Sequence, residues 1–198
     1  METSPRLPSP RVVLASQSTY RRELLERLLT TFESLAPGVD ESRHAGEPPA
    51  ELALRLARLK AAAGASLHPG AVVIGSDQVA ALGDDLLGKP WTEARAVAQL
   101  LQCSGQLVAF HTAVCVTGPD TTSVHVDLTA VRFRALTRRE AERYVAADQP
   151  LDCAGSFKAE RRGVLLLESI ETRDPTAIQG LPLIWLAHTL VAHGVALL

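Results

Sequence analysis

The chain has 198 residues, 46% of them apolar, enough to bury one core and to form a single domain of residues 11–198 behind a disordered tail of residues 1–10. A formal net charge of −2 excludes the global basic field of a non-specific nucleic-acid binder, so a bound polyanion has to be met by a local cluster of cations. Cys103, Cys115 and Cys153 are never spaced C-x-x-C, which argues against a disulfide framework or structural zinc and fits a reducing cytosol, and no apolar run reaches membrane-spanning length.

In chain order, Val12–Ala15 reads as a short buried strand and Thr19–Leu29 as a helix with Leu24, Leu25 and Leu28 on one face and Ser18 as N-cap. Arg22 can pair with Glu26 one turn on. Arg21 has Leu24 and Leu25 as its neighbours, so it points toward the apolar face at the positive end of the helix. Two readings stand side by side: a surface arginine beside an ordinary N-cap, or, with Ser16 in the strand–SQS–helix turn, part of an anion site.

A polar connection, APGVDESRHAGEPP, leads to a helix over residues 50–63, and there Lys60 falls in the apolar row of Ala53, Leu56 and Ala63. A lysine in such a row either snorkels past its neighbours or lines a cleft. AVVIGSD is a continuous apolar strand that stops at Ser76 and Asp77 and so delivers a carboxylate at its end, where α/β sheets bind ligands. VAALGDDLLG reads as a hairpin with a Gly-Asp turn, followed by Lys89 before Pro90.

Thr92 caps a helix to Cys103, and QLVAFHTAVCVTG and TSVHVDLTAVRFRAL form an antiparallel pair. Thr137 and Glu140 open the next helix with a capping box. A strand at Val164–Glu168 and a helix at Leu183–His193 complete the chain. Alternating strands and helices place it in the α/β or α+β class.

One carboxylate at a strand end is often a turn former. Asp77 and Glu41, or Asp40 beside it, together with Arg21, Lys60 and Lys89 make the parts list for metal-assisted phosphate chemistry. Neither G-x-x-x-x-G-K-[ST] nor G-x-G-x-x-G is present, which weakens a P-loop enzyme or a dinucleotide-binding dehydrogenase. The histidines lack ligand spacing, and the cysteines read as packing residues.

LASQSTYRRELL, VDE at Val39–Glu41, RLARLKA around Lys60, GSDQV around Asp77, GKP at Lys89, SGQ at Ser104, LDCAGSFKAE and GLPL follow one another along the chain. In that order they resemble the signature blocks of the Maf family of nucleoside triphosphate pyrophosphatases. GSDQV with CAGSFK is most similar to the subgroup acting on N7-methyl-GTP, and differs from the GADT-type and AG-x-Y-x-x-Q-type blocks of the dTTP/UTP subgroup. Thr19 replaces the usual proline, and Tyr20 stands where the subgroup often has tryptophan.

The resemblance implies a Maf or inosine-triphosphatase-like fold, an elongated mixed sheet flanked by helices with a cleft between two lobes, in a cytoplasmic homodimer. It implies Asp77 as proton acceptor and Ser16, Arg21, Lys60 and Lys89 as phosphate-binding residues. It also implies Glu41 and Asp77 at a divalent cation, magnesium or manganese, with Tyr20, Gln78 and Glu160 setting the substrate. The expected substrate is a small nucleotide, and no nucleic-acid or membrane partner is expected. Cleavage of 7-methyl-GTP to 7-methyl-GMP and diphosphate is the expected reaction; a dTTP/UTP pyrophosphatase and a nucleotide-binding regulator of cell division are the alternatives.

Overall fold

The computed structural model describes residues 9–197. Strands β1 (Val12–Ala15), β2 (Glu33–Ser34), β3 (Val72–Leu82), β4 (Asp85–Leu86), β5 (Leu107–Thr117), β6 (Thr122–Phe133) and β7 (Leu167–Glu171) make one sheet. Its order is β2-β1-β3-β5-β6-β7, with β4 folded back onto β3. β1 is parallel to β2 and β3, and the remaining pairs are antiparallel. The helices are α1 (Thr19–Leu25), α2 (Pro49–Leu67), α3 (Glu93–Cys103), α4 (Arg138–Asp148) and α5 (Leu183–Ala192). The mixed α/β class expected from the sequence is the one found. Residues 1–8 of the expected tail lie outside the described residues, and Ser9 Oγ accepts from the Ala196 N–H.

Two cores follow one another along the long strands. Leu14, Ile74, Val114, Leu186 and Leu190 pack β1 and the first half of β3 against α1 and α5. Phe110, Phe133, Phe157, Leu100 and Val145 pack the other end against α3 and α4, with Phe157 edge-on to Phe110 and Phe133 at 5.4 and 5.6 Å. Between the two cores the strands carry polar residues instead: Ser76, Asp77, Gln78, Thr112 and Thr129, most of them buried.

Helix α2 covers the opposite face of the sheet. Leu52, Ala53, Leu56, Ala57, Lys60, Ala61 and Gly64 recur at helical spacing on its buried side. The small residues let it approach closely, since a Cβ on Gly75 would overlap the Ala57 carbonyl and the Ala61 amide. Among the described residues no helix is long and apolar enough to cross a membrane.

The hairpin, the α3 cap at Thr92, the antiparallel β5–β6 pair and the Thr137–Glu140 capping box form as expected. Four boundaries differ, the first being α2, which runs from Pro49 to Leu67 rather than over residues 50–63. β3 does not stop at Ser76 and Asp77: its ladder with β5, from Val73 opposite Thr117 to Ala81 opposite Ala109, carries it on to Leu82. Asp77 is therefore a mid-strand residue. α1 ends at Leu25 because the following N–H groups tighten to three-residue bonds, and Arg22 lies near Ser34 Oγ (3.4 Å) and over the Phe32 ring rather than pairing with Glu26. The last strand begins at Leu167, because residues Arg162–Leu166 wind into a 3₁₀ turn with Gly163 pressed on the Lys158 carbonyl.

Candidate active site between the two cores

β1 pairs with β3 only as far as Ala15 opposite Gly75, and β4 rejoins β3 at Ala81 opposite Leu86. Residues 76–79 of β3 consequently have no strand neighbour on that side. A cleft of about 870 Å³ opens over this gap. Ser16, Tyr20, Arg21, Glu41, Lys60, Asp77, Gln78, Lys89 and Glu160 line it, whereas Asp40, the other candidate carboxylate, does not and accepts instead from the Ser42 N–H at 2.9 Å.

Strand alternation divides their work. Asp77 faces α2, where Lys60 is delivered from the helix, and Lys60 Nζ lies 2.7 Å from Asp77 Oδ1 and 2.6 Å from Glu41 Oε1. Lys60 and Asp77 are buried while Glu41 comes in from an exposed loop. The lysine does not snorkel out of its apolar row; a carboxylate on the facing strand and another on a loop explain its place.

Ser76 and Gln78 point to the other face and meet the segment 177–180. Gln78 Nε2 donates within 2.9–3.0 Å of Thr112 Oγ1 and the carbonyls of Ala177 and Ile178. Those acceptors fix the amide, so its oxygen is the atom left to the cleft. Arg21 does leave the helix for the cleft: Nε donates to the Gly180 carbonyl at 3.1 Å and Nη1 to Ser16 Oγ at 3.4 Å. Burial lowers the Arg21 pKa from its ordinary value, while the charges of Asp77 and Glu41 oppose the shift.

At the mouth, Lys89 Nζ lies 5.3 Å from the centroid of the Trp91 ring. Trp91 is exposed, has a positive φ of 61° and donates its N–H to the Leu151 carbonyl at 3.0 Å. Beside the Tyr20 ring, Lys158 Nζ sits 5.9 Å from the centroid, and Cys153 Sγ, in the cleft lining, donates to the Tyr20 hydroxyl at 3.7 Å. Burial first, then Cys153 and the negative charges of Asp152 and Glu160, push the Tyr20 hydroxyl well above its ordinary pKa. Burial likewise raises the Cys153 thiol to about 11.

Trp91, Lys158, Thr112 and Gly180 also contribute at or beside the cleft without having been singled out individually from the sequence. An aromatic directly after Gly-Lys-Pro was a usable signal for Trp91. Thr112 and Gly180 act through cross-strand and backbone contacts that spacing does not reveal, and Lys158 through an ammonium that only the fold brings beside Tyr20.

Glu41 and Asp77 supply two hard oxygen donors, and among the described residues no group of three His, Cys, Asp or Glu side chains could hold a metal ion. Such a pair suits an ion that draws its other ligands from water and a phosphorylated substrate.

The sheet and its flanking helices define a mixed α/β fold also found in "The structure of the Staphylococcus aureus Ham1 protein". That chain aligns over 92% of this chain and 98% of its own length, with a TM-score of 0.52 at 18% identity. Within the fold the sequence is more specific. Residues 11–193 match the family model described as Maf-like protein, and the chain belongs to the Maf family. It is 55% identical over 185 residues to a Xanthomonas oryzae pv. oryzae (strain MAFF 311018) protein named 7-methyl-GTP pyrophosphatase, covering 93% of this chain and 97% of that one. Proteins of the same name from Pseudomonas putida (strain KT2440) and Bordetella avium (strain 197N) are 53% and 52% identical over 186 residues. They cover 93% and 94% of this chain, and 97% and 94% of their own lengths.

Proposed function

We propose that this chain hydrolyses 7-methyl-GTP between its α- and β-phosphates, giving 7-methyl-GMP and diphosphate. The observation that carries the reading is the Lys60 ammonium between Asp77 and Glu41, in a cleft that Arg21 and Lys89 also line. Cations grouped about a buried carboxylate suit a triphosphate and the water that attacks it. The relatives' name, at 52–55% identity, supports the substrate.

In this reading Asp77 keeps Oδ1 on Lys60 and takes a water proton on Oδ2. The water oxygen bonds to the α-phosphorus, the bond to the α–β bridging oxygen breaks, and its electron pair leaves with diphosphate. Arg21, Lys60 and Lys89 offset the charge on the leaving group, and Ser16 steadies Arg21. Glu41 and Asp77 would hold a magnesium or manganese ion, which when bound neutralises charge on the triphosphate.

Tyr20 marks the base end of the cleft. Asp152 and Glu160 place negative charge near its hydroxyl, and Asp152 also pairs with the nearby Lys158 ammonium at 3.7 Å. N7-methylation makes guanine cationic, so the same surroundings favour the methylated ring by about 0.5–2 kcal/mol of cation–π attraction. Glu160 and the Gln78 oxygen accept from the guanine N1–H and amino group, which thymine and uracil do not match.

Diphosphate release is to be measured across 7-methyl-GTP, GTP, UTP and dTTP, with and without a chelator. The expected order puts 7-methyl-GTP first in kcat/KM, with activity lost to the chelator and restored by magnesium or manganese. A higher kcat/KM for UTP or dTTP overturns the substrate, and no diphosphate from any of the four overturns the reaction.

A further inference from the structure

The segment 174–184 places no charged side chain in the cleft, yet it touches several residues that do the work there. Gly180 is the point of closest contact. Its carbonyl accepts from Arg21 Nε at 3.1 Å and lies 2.9 Å from Ser76 Oγ, which shares its proton with the Ala113 carbonyl at 2.8 Å. One backbone oxygen thus ties α1 to the residue of β3 that precedes Asp77.

The oxygen is itself held. Asp174, buried, accepts from the Thr176 N–H at 2.9 Å and the Ile184 N–H at 2.7 Å, and Thr176 Oγ1 accepts from the Leu183 N–H at 2.9 Å. These bonds close the loop before and after Gly180 onto the start of α5. Gly180 has φ 112°, a conformation that favours glycine, and a Cβ there would stand 3.2 Å from Arg21 Nε and 3.3 Å from Arg21 Cγ. With Nε on Gly180 and Nη1 on Ser16, the plane of the guanidinium is set, and among the described residues no group accepts from Nη2.

We propose that Gly180 is a positioning residue: its carbonyl aims the Arg21 guanidinium into the cleft, and its missing side chain leaves room for the guanidinium to lie there. This deepens the pyrophosphatase reading and rests on it for the identity of the anion that Arg21 meets. Asp174 and Thr176 act one step further back, by fixing the direction of the Gly180 carbonyl.

The test is a double-mutant cycle of Gly180→Ala and Arg21→Ala, read in kcat/KM for 7-methyl-GTP and, separately, in the dissociation constant for inorganic diphosphate. Loss of a hydrogen bond to a charged group predicts about a tenfold to hundredfold fall in both for Gly180→Ala. In the Arg21→Ala background the same change is expected to cost less than about twofold, which a general loss of structure would not produce. Should Gly180→Ala not fold, Ser76→Ala removes the other donor from the same carbonyl without adding bulk and carries the same cycle. An active wild-type enzyme with additive effects overturns the positioning role. A wild-type chain that hydrolyses no nucleotide but shows the coupling in diphosphate affinity overturns the pyrophosphatase reading and supports the role of Gly180.

Discussion

Asp77 shows how much one buried side chain depends on its neighbours. It shares the Lys60 ammonium with Glu41 in a cleft between two apolar cores. Asp77→Asn keeps the shape, and Glu41 still partners Lys60, so the variant does not strand a buried charge. Removing a general base lowers turnover by about 10²–10⁴-fold. We therefore expect diphosphate release to fall by that much while nucleotide affinity changes only a few-fold and the variant still melts as a folded protein. Near-normal turnover would take Asp77 out of the mechanism. Lys60 was legible as an anomaly because a lysine in an apolar row needs a partner. The partner's identity was not legible, since it comes from a strand seventeen residues away and a loop.

At the scale of elements, the contact between α2 and β3 sets the distance between Lys60 and Asp77. Gly75, two residues before Asp77, faces the helix so closely that any Cβ must displace backbone at Ala57 and Ala61. Overpacking of this kind costs about 3 kcal/mol, or roughly 6–12 °C in Tm for a chain of this size. Gly75→Ala is accordingly expected to lower Tm by that amount and to lose activity, because α2 must shift and carry Lys60 with it. A melt within about 2 °C of wild type would show that the helix accommodates the methyl and that the close fit is not required. The element types were readable from periodicity, and the end of β3 was not. GSDQV looks like the polar end of an apolar strand, but eleven-residue β5 supplies a ladder that carries β3 through it.

For the whole molecule, acid sensitivity should come from two carboxylates away from the cleft. The side-chain bond from Arg55, helped by the His44 N–H, lowers Glu47 from 4.5 to about 2. The Thr137 hydroxyl and N–H, with Arg134, lower Glu140 from 4.5 to about 2. Both pKa values are depressed on folding, so the unfolded chain binds more protons between about 4.5 and about 2. Their stabilisation is present above the upper value and is lost as pH falls through the lower one. Melting of wild type and Glu47→Gln/Glu140→Gln should thus differ at neutral pH and converge toward pH 2. A Tm difference that is constant with pH would show that these carboxylates do not carry the dependence.

The sequence by itself determined the order and type of most elements, the caps at Ser18, Thr92 and Thr137, and the family. These are local matters: period, capping chemistry and short blocks such as GSDQV and GKP all act within a few residues of chain. Only the tertiary structure decided that β1 stops opposite Gly75 while β3 runs on, because that depends on which strands pair. That decision leaves residues 76–79 open on one side and makes Asp77 the floor of a cleft rather than the end of a strand. It also decided that Arg21 is held by the backbone of a segment some 160 positions away, since a carbonyl oxygen has no side chain by which a sequence could mark it.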